Sequence, residues 1–239
     1  ADMKTEPGTK AAVLGLRGTG FLSALCLHEK GYQVFASDLS DAEDVRENVL
    51  KLTEHGIRAE CGRHSFEEIL AADWVLISPG IPPGSKIYQA ILAAKKPIFS
   101  EIEVASWFSQ AKTVVAITGS CGKTTTATLI AQIVEASGRQ AVLCGNIGNP
   151  WIGELSRITP ETVVVLEVSS FQLMHCARFA PTVGLLLNVF PNHMDWHGDM
   201  KEYAEAKLNL FRAMKNTDVM ICRKTDEAAF FPDFRTAAR

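Results

Sequence analysis

The feature that most narrows the fold of this chain is a strand-turn-helix pattern that occurs twice, each time with glycines in the turn. Ala11 to Gly15 runs into Gly15-Leu16-Arg17-Gly18-Thr19-Gly20, and Thr113 to Thr118 runs into Gly119-Ser120-Cys121-Gly122-Lys123-Thr124-Thr125. Further short Val/Ile/Leu-rich runs follow each one. Val34 to Ser37, Trp74 to Ser78 and the weaker Pro97 to Ser100 belong to the first series; Ala141 to Gly145, Thr162 to Ser169, Val183 to Val189 and Val219 to Cys222 belong to the second. Apolar runs without strict alternation are what strands buried on both faces look like, and amphipathic segments lie between them. The expected class is α/β, with one parallel sheet per series. A Rossmann-like parallel-sheet domain is expected over residues 1–108, followed by a P-loop ATPase-type α/β domain over 109–239. The boundary falls in or just after Glu101 to Lys112.

Charge and cysteine usage remove several classes of function. With 24 Lys+Arg against 27 Asp+Glu and 47% hydrophobic residues, the chain is neither disordered nor a polybasic nucleic-acid binder. No apolar stretch approaches the roughly 18 residues needed to span a bilayer. A soluble protein without membrane insertion is expected. The six cysteines are scattered without a CxxC pair, which points to reduced thiols in the cytoplasm rather than a disulfide framework or a zinc site.

Glycines allow the backbone to approach a phosphate at a helix N-terminus, where unpaired N–H groups and the helix dipole favour negative charge. In the first turn the spacing is G-x-x-G-x-G rather than a dinucleotide fingerprint, and a tight turn without a ligand is the plainer alternative. Asp38 ends the next strand, where a carboxylate can accept hydrogen bonds from a ribose or a base. Ser78-Pro79-Gly80-Ile81-Pro82-Pro83 leaves another strand at the same edge. The second turn is a shortened P-loop, with Ile117 where the first glycine of the usual pattern would stand. Its backbone can cradle phosphates, Lys123 can reach them as a point charge, and the Thr124 hydroxyl suits Mg²⁺. Cys121 is either a reactive thiol or a small filler.

Three more side chains stand out. Glu167 interrupts the buried run Val163 to Val168, and a buried carboxylate needs a partner, such as a divalent cation next to the phosphate loop. Asn188 to Asp195 follows another strand end, which brings His193 to the same edge as Lys123 and Glu167. Lys207 falls inside the apolar stripe Met200, Tyr203, Ala204, Leu208, Phe211 and Met214 rather than on the charged face of its helix. Such a lysine snorkels, pairs with anions, or has a depressed pKa that makes it chemically modifiable.

Taken together, these strings resemble the Mur ligases of peptidoglycan synthesis, in particular the D-glutamate-adding branch. The matching pieces include Ser78-Pro79-Gly80, Gly119 to Thr125, Gly145-Asn146-Ile147-Gly148, Leu166-Glu167-Val168-Ser169-Ser170-Phe171-Gln172-Leu173, His193-Met194-Asp195 and Tyr203-Ala204-Glu205-Ala206-Lys207. The resemblance implies an ATP-dependent amide ligase that joins D-glutamate to UDP-N-acetylmuramoyl-L-alanine through an acyl phosphate. It implies ATP held by Gly119, Ser120, Cys121, Gly122, Lys123, Thr124 and Thr125, with Lys123, Glu167, His193 and Lys207 as the catalytic set. Mg²⁺ or Mn²⁺ would be held by Thr124, Glu167, His193 and Lys207, the last as a carbamate. Gly18, Thr19, Asp38, Gly80, Asn146, Ser169 and Gln172 would face the UDP-linked substrate. The family has three domains, so the expectation is a monomeric piece that ends inside the middle domain, binds its ligands and turns over little by itself. A non-catalytic binding fragment and, from the first turn alone, an NAD-dependent oxidoreductase are the competing readings. Titration calorimetry separates them: heat with a UDP-linked precursor and none with NAD is the expected result, and tight NAD binding without UDP heat would refute the resemblance.

Overall fold

The computed structural model describes residues 4–190 and 200–239. His193, expected at the second site, lies outside the described residues. The chain divides into two compact units, Ala1–Val104 and Ala105–Arg239.

The first unit is built from β1 (Lys10–Leu14), α1 (Gly18–Glu29), β2 (Gln33–Asp38), α2 (Glu43–Glu54), β3 (Arg58–Cys61), α3 (Phe66–Leu70), β4 (Trp74–Ile77), α4 (Lys86–Ala93) and β5 (Ile98–Phe99), with α5 (Glu101–Phe108) running across the division. Its sheet is parallel throughout, in the order β3-β2-β1-β4-β5. The order reverses beside β1, so the ends of β1 and β4 diverge into a crevice, the place where open parallel sheets bind ligands. β1 and β4 carry Ala12, Leu14, Val75 and Ile77 into one core cluster with Ile87, Tyr88 and Ile91 of α4. Trp74 is fully buried, edge-on to Tyr32 and Phe99. β3 is an edge strand of sequence Arg-Ala-Glu-Cys, and its polar side chains left no strand signal in the sequence.

The second unit repeats the scheme with β6 (Thr113–Thr118), α6 (Lys123–Ala136), β7 (Ala141–Gly145), α7 (Trp151–Glu154), β8 (Val163–Glu167), α8 (Ser170–Met174), β9 (Val183–Leu186), α9 (Met200–Arg212), β10 (Val219–Cys222) and α10 (Lys224–Phe230). Its parallel sheet has the order β10-β9-β6-β8-β7, with the reversal at β6. The strand ending at Leu186 is shorter than the expected run to Val189, because Leu187 to Phe190 turn aside to meet the loop after β6. Ile117, Ala127, Ala131, Val163 and Val165 pack α6 onto the sheet.

Close backbone approach explains two of the first-turn glycines. Gly15 has φ +85, and a Cβ on Gly20 would lie 1.6 Å from the Gly15 carbonyl oxygen. No such neighbour exists at Gly18. Gly20→Ala should therefore cost about 2 kcal/mol or more through forced overpacking. Gly18→Ala, in helical backbone with open space, should be neutral or stabilise by about 0.5 kcal/mol. Urea unfolding of the two variants checks the contrast.

Candidate functional site

The loop between β6 and α6 sits at the reversal point of the second sheet, and its geometry follows from glycines with positive φ. Gly119 (φ +156) passes so close to the end of β9 that a Cβ there would be 3.1 Å from Leu187 Cβ, and Gly122 (φ +84) begins α6. No side chain caps α6. The N–H groups of its first turn have no intrahelical partners, and together with the helix dipole they form an anion site. Lys123, in that first turn, donates from Nζ to the Gly119 carbonyl oxygen at 2.8 Å, folding back along the loop.

Register places the carboxylate. Glu167 ends β8 opposite Ile117 of β6 and is 3% exposed. Its Oε2 accepts from the Thr124 hydroxyl at 2.8 Å and its Oε1 from Asn146 Nδ2 at 3.1 Å. Asn146 is aimed there by Gly145 (φ +103), where a Cβ would meet the Glu167 carbonyl oxygen at 2.4 Å. The Thr124 hydroxyl and the Glu167 carboxylate are thus adjacent hard oxygen donors, the kind Mg²⁺ prefers, beside an anion site that suits phosphates. Among the described residues no group of three or more His, Cys, Asp or Glu side chains forms a metal cage.

Lys207 on α9 is 1% exposed, and its Nζ donates to the same Gly119 carbonyl at 3.2 Å while lying 4.4 Å over the Tyr203 ring. Burial, reinforced by the charge of Lys123, lowers its pKa to about 7. A large share of the amine is therefore neutral and nucleophilic at physiological pH. Of the expected stripe, Tyr203, Ala204, Leu208, Phe211 and Met214 are buried and Met200 is half-buried, and Ala206 and Leu210 extend it.

Asn188 had no role assigned from the sequence. Asn188 Oδ1 accepts from the backbone N–H groups of Ser120 and Cys121, each at 3.0 Å, and its Nδ2 donates to the Cys121 carbonyl at 3.0 Å. The Ser120 hydroxyl meets the Phe190 backbone and lies 3.1 Å from the Tyr203 hydroxyl. Loop-to-loop contacts of this sort carry no periodic signal. Cys121 and Thr125 are exposed on the loop and first turn. Ser169 and Gln172 form a reciprocal capping box at the start of α8, so their polar atoms serve the helix.

In the first unit, Gly18, Thr19, Asp38 and Gly80 gather at the β1/β4 crevice. Ser78 Oγ donates to the Gly15 carbonyl at 3.0 Å and draws the two turns together. Asp38 accepts from the backbone N–H groups of Leu16 at 2.7 Å and Ser40 at 2.8 Å, so it anchors the turn with both oxygens. Two cavities share Gly15, Asp38, Gly80 and Ile81. One, of about 360 Å³, also touches Arg17, Gly18 and Thr19; the other, of about 580 Å³, also touches Leu39, His64, Phe66 and Lys86. His64 and Phe66 follow the edge strand that the sequence concealed.

Comparison with known proteins decides the family. The Mur ligase middle domain family matches residues 117–237. The chain belongs to the Mur ligase family. Among relatives of this Mur ligase chain, the UDP-N-acetylmuramoylalanine–D-glutamate ligase of Chloroherpeton thalassium is 38% identical over 225 residues, covering 92% of this chain and 48% of the relative. The enzyme of that name from Salinibacter ruber is 40% identical over 236 residues, covering 96% and 49%. The chain spans about half the length of the curated relatives it matches. In fold it is similar to the crystal structure of the UDP-N-acetylmuramate:L-alanyl-gamma-D-glutamyl-meso-diaminopimelate ligase from Neisseria meningitides, with a TM-score of 0.59 at 19% identity over 97% of this chain and 77% of that one.

The depressed pKa of Lys207 fixes a sign. Unfolded, the group titrates near the ordinary lysine value of 10.5; folded, at about 7. Between these values the unfolded chain binds more protons, so the Lys207 contribution to stability rises with pH across that window and is at its most unfavourable below pH 7. Lys207→Met should flatten this rise, seen as the wild-type minus variant difference in unfolding free energy from pH 7 to 10.

Proposed function

We propose that this chain is the substrate- and nucleotide-binding part of an ATP-dependent amide ligase that joins D-glutamate to UDP-N-acetylmuramoyl-L-alanine in the cytoplasm. The observation that carries the reading is the meeting of Lys123, Thr124 and Glu167 at one helix N-terminus on the reversal strand of the second sheet. The names of the relatives in Chloroherpeton thalassium and Salinibacter ruber supply the choice of substrates. Among the described residues no helix is long and apolar enough to cross a membrane.

In this reading the first unit takes the uridine diphosphate, with Gly18 and Thr19 toward the phosphates and Asp38 and Gly80 framing the nucleoside. Gly119 to Thr125 take ATP. Lys123 swings from the Gly119 carbonyl to the terminal phosphates, and the first-turn N–H groups of α6 hold the transferring oxygens. Mg²⁺ or Mn²⁺, held by Thr124 and Glu167, supplies charge neutralisation for phosphoryl transfer. The substrate carboxylate takes the γ-phosphoryl group, and the D-glutamate amine displaces phosphate from the acyl phosphate. Asn146, Ser169 and Gln172 line the approach to that carboxylate. Phosphoryl transfer needs positioning more than a protein nucleophile, which matches a loop equipped with donors and a point charge.

Lys207 fits a carbamate. In this reading the neutral amine would add to the carbon of CO₂ and release one proton to water, and the resulting carboxylate-like group, with His193, would supply ligands to a second divalent cation. The charge of Lys123 beside it then becomes attractive rather than repulsive.

Glu167→Gln keeps the size of the side chain and one acceptor oxygen, for Asn146, but removes the charge and turns the other oxygen into an amide donor beside Thr124. It should weaken Mg²⁺-dependent binding of a non-hydrolysable ATP analogue by about tenfold or more. Calorimetry with and without Mg²⁺ measures this; unchanged Mg²⁺ dependence would remove Glu167 from the metal.

A further inference from the structure

His64, which lines the 580 Å³ cavity of the first unit, is held from behind by a hydrogen-bond chain that determines which of its ring nitrogens carries the proton. Ser37, the last residue but one of β2 and fully buried, places its Oγ 2.8 Å from Glu60 Oε1 on β3, 2.8 Å from His64 Nδ1 and 3.2 Å from the Arg63 carbonyl. The hydroxyl has one proton for these three neighbours. Glu60 is ionised: burial would raise its pKa, but hydrogen bonds from Ser65, Ser37 and Arg63 outweigh that and hold it below the usual value. An ionised carboxylate offers only acceptors, so the serine proton goes to Glu60, the strongest acceptor in reach. His64 Nδ1, facing the serine lone pair at 2.8 Å, must then carry a proton and donate it.

A neutral imidazole with Nδ1 protonated has a bare Nε2. His64 is held neutral because burial lowers its pKa against the opposing pull of Asp38 and Glu60. The ring lines the cavity with Asp38, Phe66, Gly80 and Lys86. Each Asp38 oxygen already accepts one backbone N–H, and Lys86 is a donor only, so His64 Nε2 adds an acceptor to this lining that carries no hydrogen bond. Phe66, 39% exposed, gives the same cavity an aromatic face.

We propose that His64, oriented by the Glu60–Ser37 pair, is a specificity-determining acceptor that takes a hydrogen bond through Nε2 from a donor on the nucleoside end of the bound diphosphate. The donor is either the imide N–H of a uracil-type base or a ribose hydroxyl; both are hydrogen donors, and cytosine presents a bare acceptor where uracil has its N–H. The inference rests on the reading of this cavity as the uridine diphosphate site. Ser37 and Glu60 act through His64 and are positioning residues.

The test uses the whole 239-residue chain with UDP, CDP and 2′-deoxy-UDP in calorimetry. His64→Ala should weaken UDP by about fivefold to tenfold, the worth of one hydrogen bond in a partly desolvated site. His64→Gln, which sets an amide oxygen near the Nε2 position, should recover most of that loss. If the base is read, the preference for UDP over CDP collapses in His64→Ala; if the ribose is read, the preference for UDP over 2′-deoxy-UDP collapses instead. The ring nitrogens should give the ¹⁵N NMR signature of the Nδ1–H tautomer in the wild type and shift toward Nε2–H in Ser37→Ala, a readout that simple loss of packing does not move. UDP binding that His64→Ala leaves unchanged, with both preferences intact, overturns the inference and leaves the UDP reading standing. A wild-type chain that binds no UDP overturns both. An Nε2–H tautomer in the wild type overturns the acceptor role whatever the affinities.

Discussion

One carbonyl oxygen organises the second unit. Gly119 O receives Lys123 Nζ and Lys207 Nζ together, so two lysines from different helices converge on a single neutral acceptor. A carbonyl can accept two hydrogen bonds but does not neutralise two ammonium charges, and burial of the deeper lysine, with the charge of Lys123 added, pushes its pKa down. The surrounding architecture keeps that arrangement in place. Gly119 must be glycine because a side chain would strike Leu187, and the apolar neighbours of Lys207 leave it no route to water.

The two units reach a common plan with different chemistry at the reversal strand. In the first, β1 ends in a turn whose Leu16 N–H is taken by one Asp38 oxygen while the other takes the Ser40 N–H, so the carboxylate is bound to backbone. In the second, β6 ends in a turn whose acidic neighbour, Glu167, accepts from the Thr124 hydroxyl and the Asn146 side-chain amide, one on each oxygen, so the carboxylate is bound to side chains. The first strand is central in both sheets, yet the orders differ, so the carboxylate beside it comes from the second strand of the first unit and from the third strand of the second. The difference arises from which groups its oxygens meet, a matter of a few ångströms.

Much of this was legible because it was written in local patterns. Uniform apolar runs announced parallel strands, glycines with Lys-Thr-Thr announced the loop, and one lysine out of place in a helical stripe announced the buried amine. What stayed hidden depends on contacts distant in sequence or on weak local signal. β3, with the sequence Arg-Ala-Glu-Cys at a sheet edge, has neither alternation nor an apolar run, so the loop after it and His64 passed unnoticed. Asn188 was visible as part of a motif, but its grip on residues 67 and 68 positions earlier has no one-dimensional trace. Ser169 and Gln172 were read as facing a substrate, and their spacing is also that of a capping box, which the fold forms at the start of α8.

The grip of Asn188 bears on the cost of binding. A flexible glycine loop that closes on its ligand must surrender backbone freedom at that moment, about 1–2 kcal/mol for each residue fixed. Here the amide side chain already holds Ser120 and Cys121 through three hydrogen bonds, so that ordering was completed when the chain folded. The phosphate loop therefore behaves as a rigid mould rather than a closing hand, and ligand discrimination falls to shape and charge.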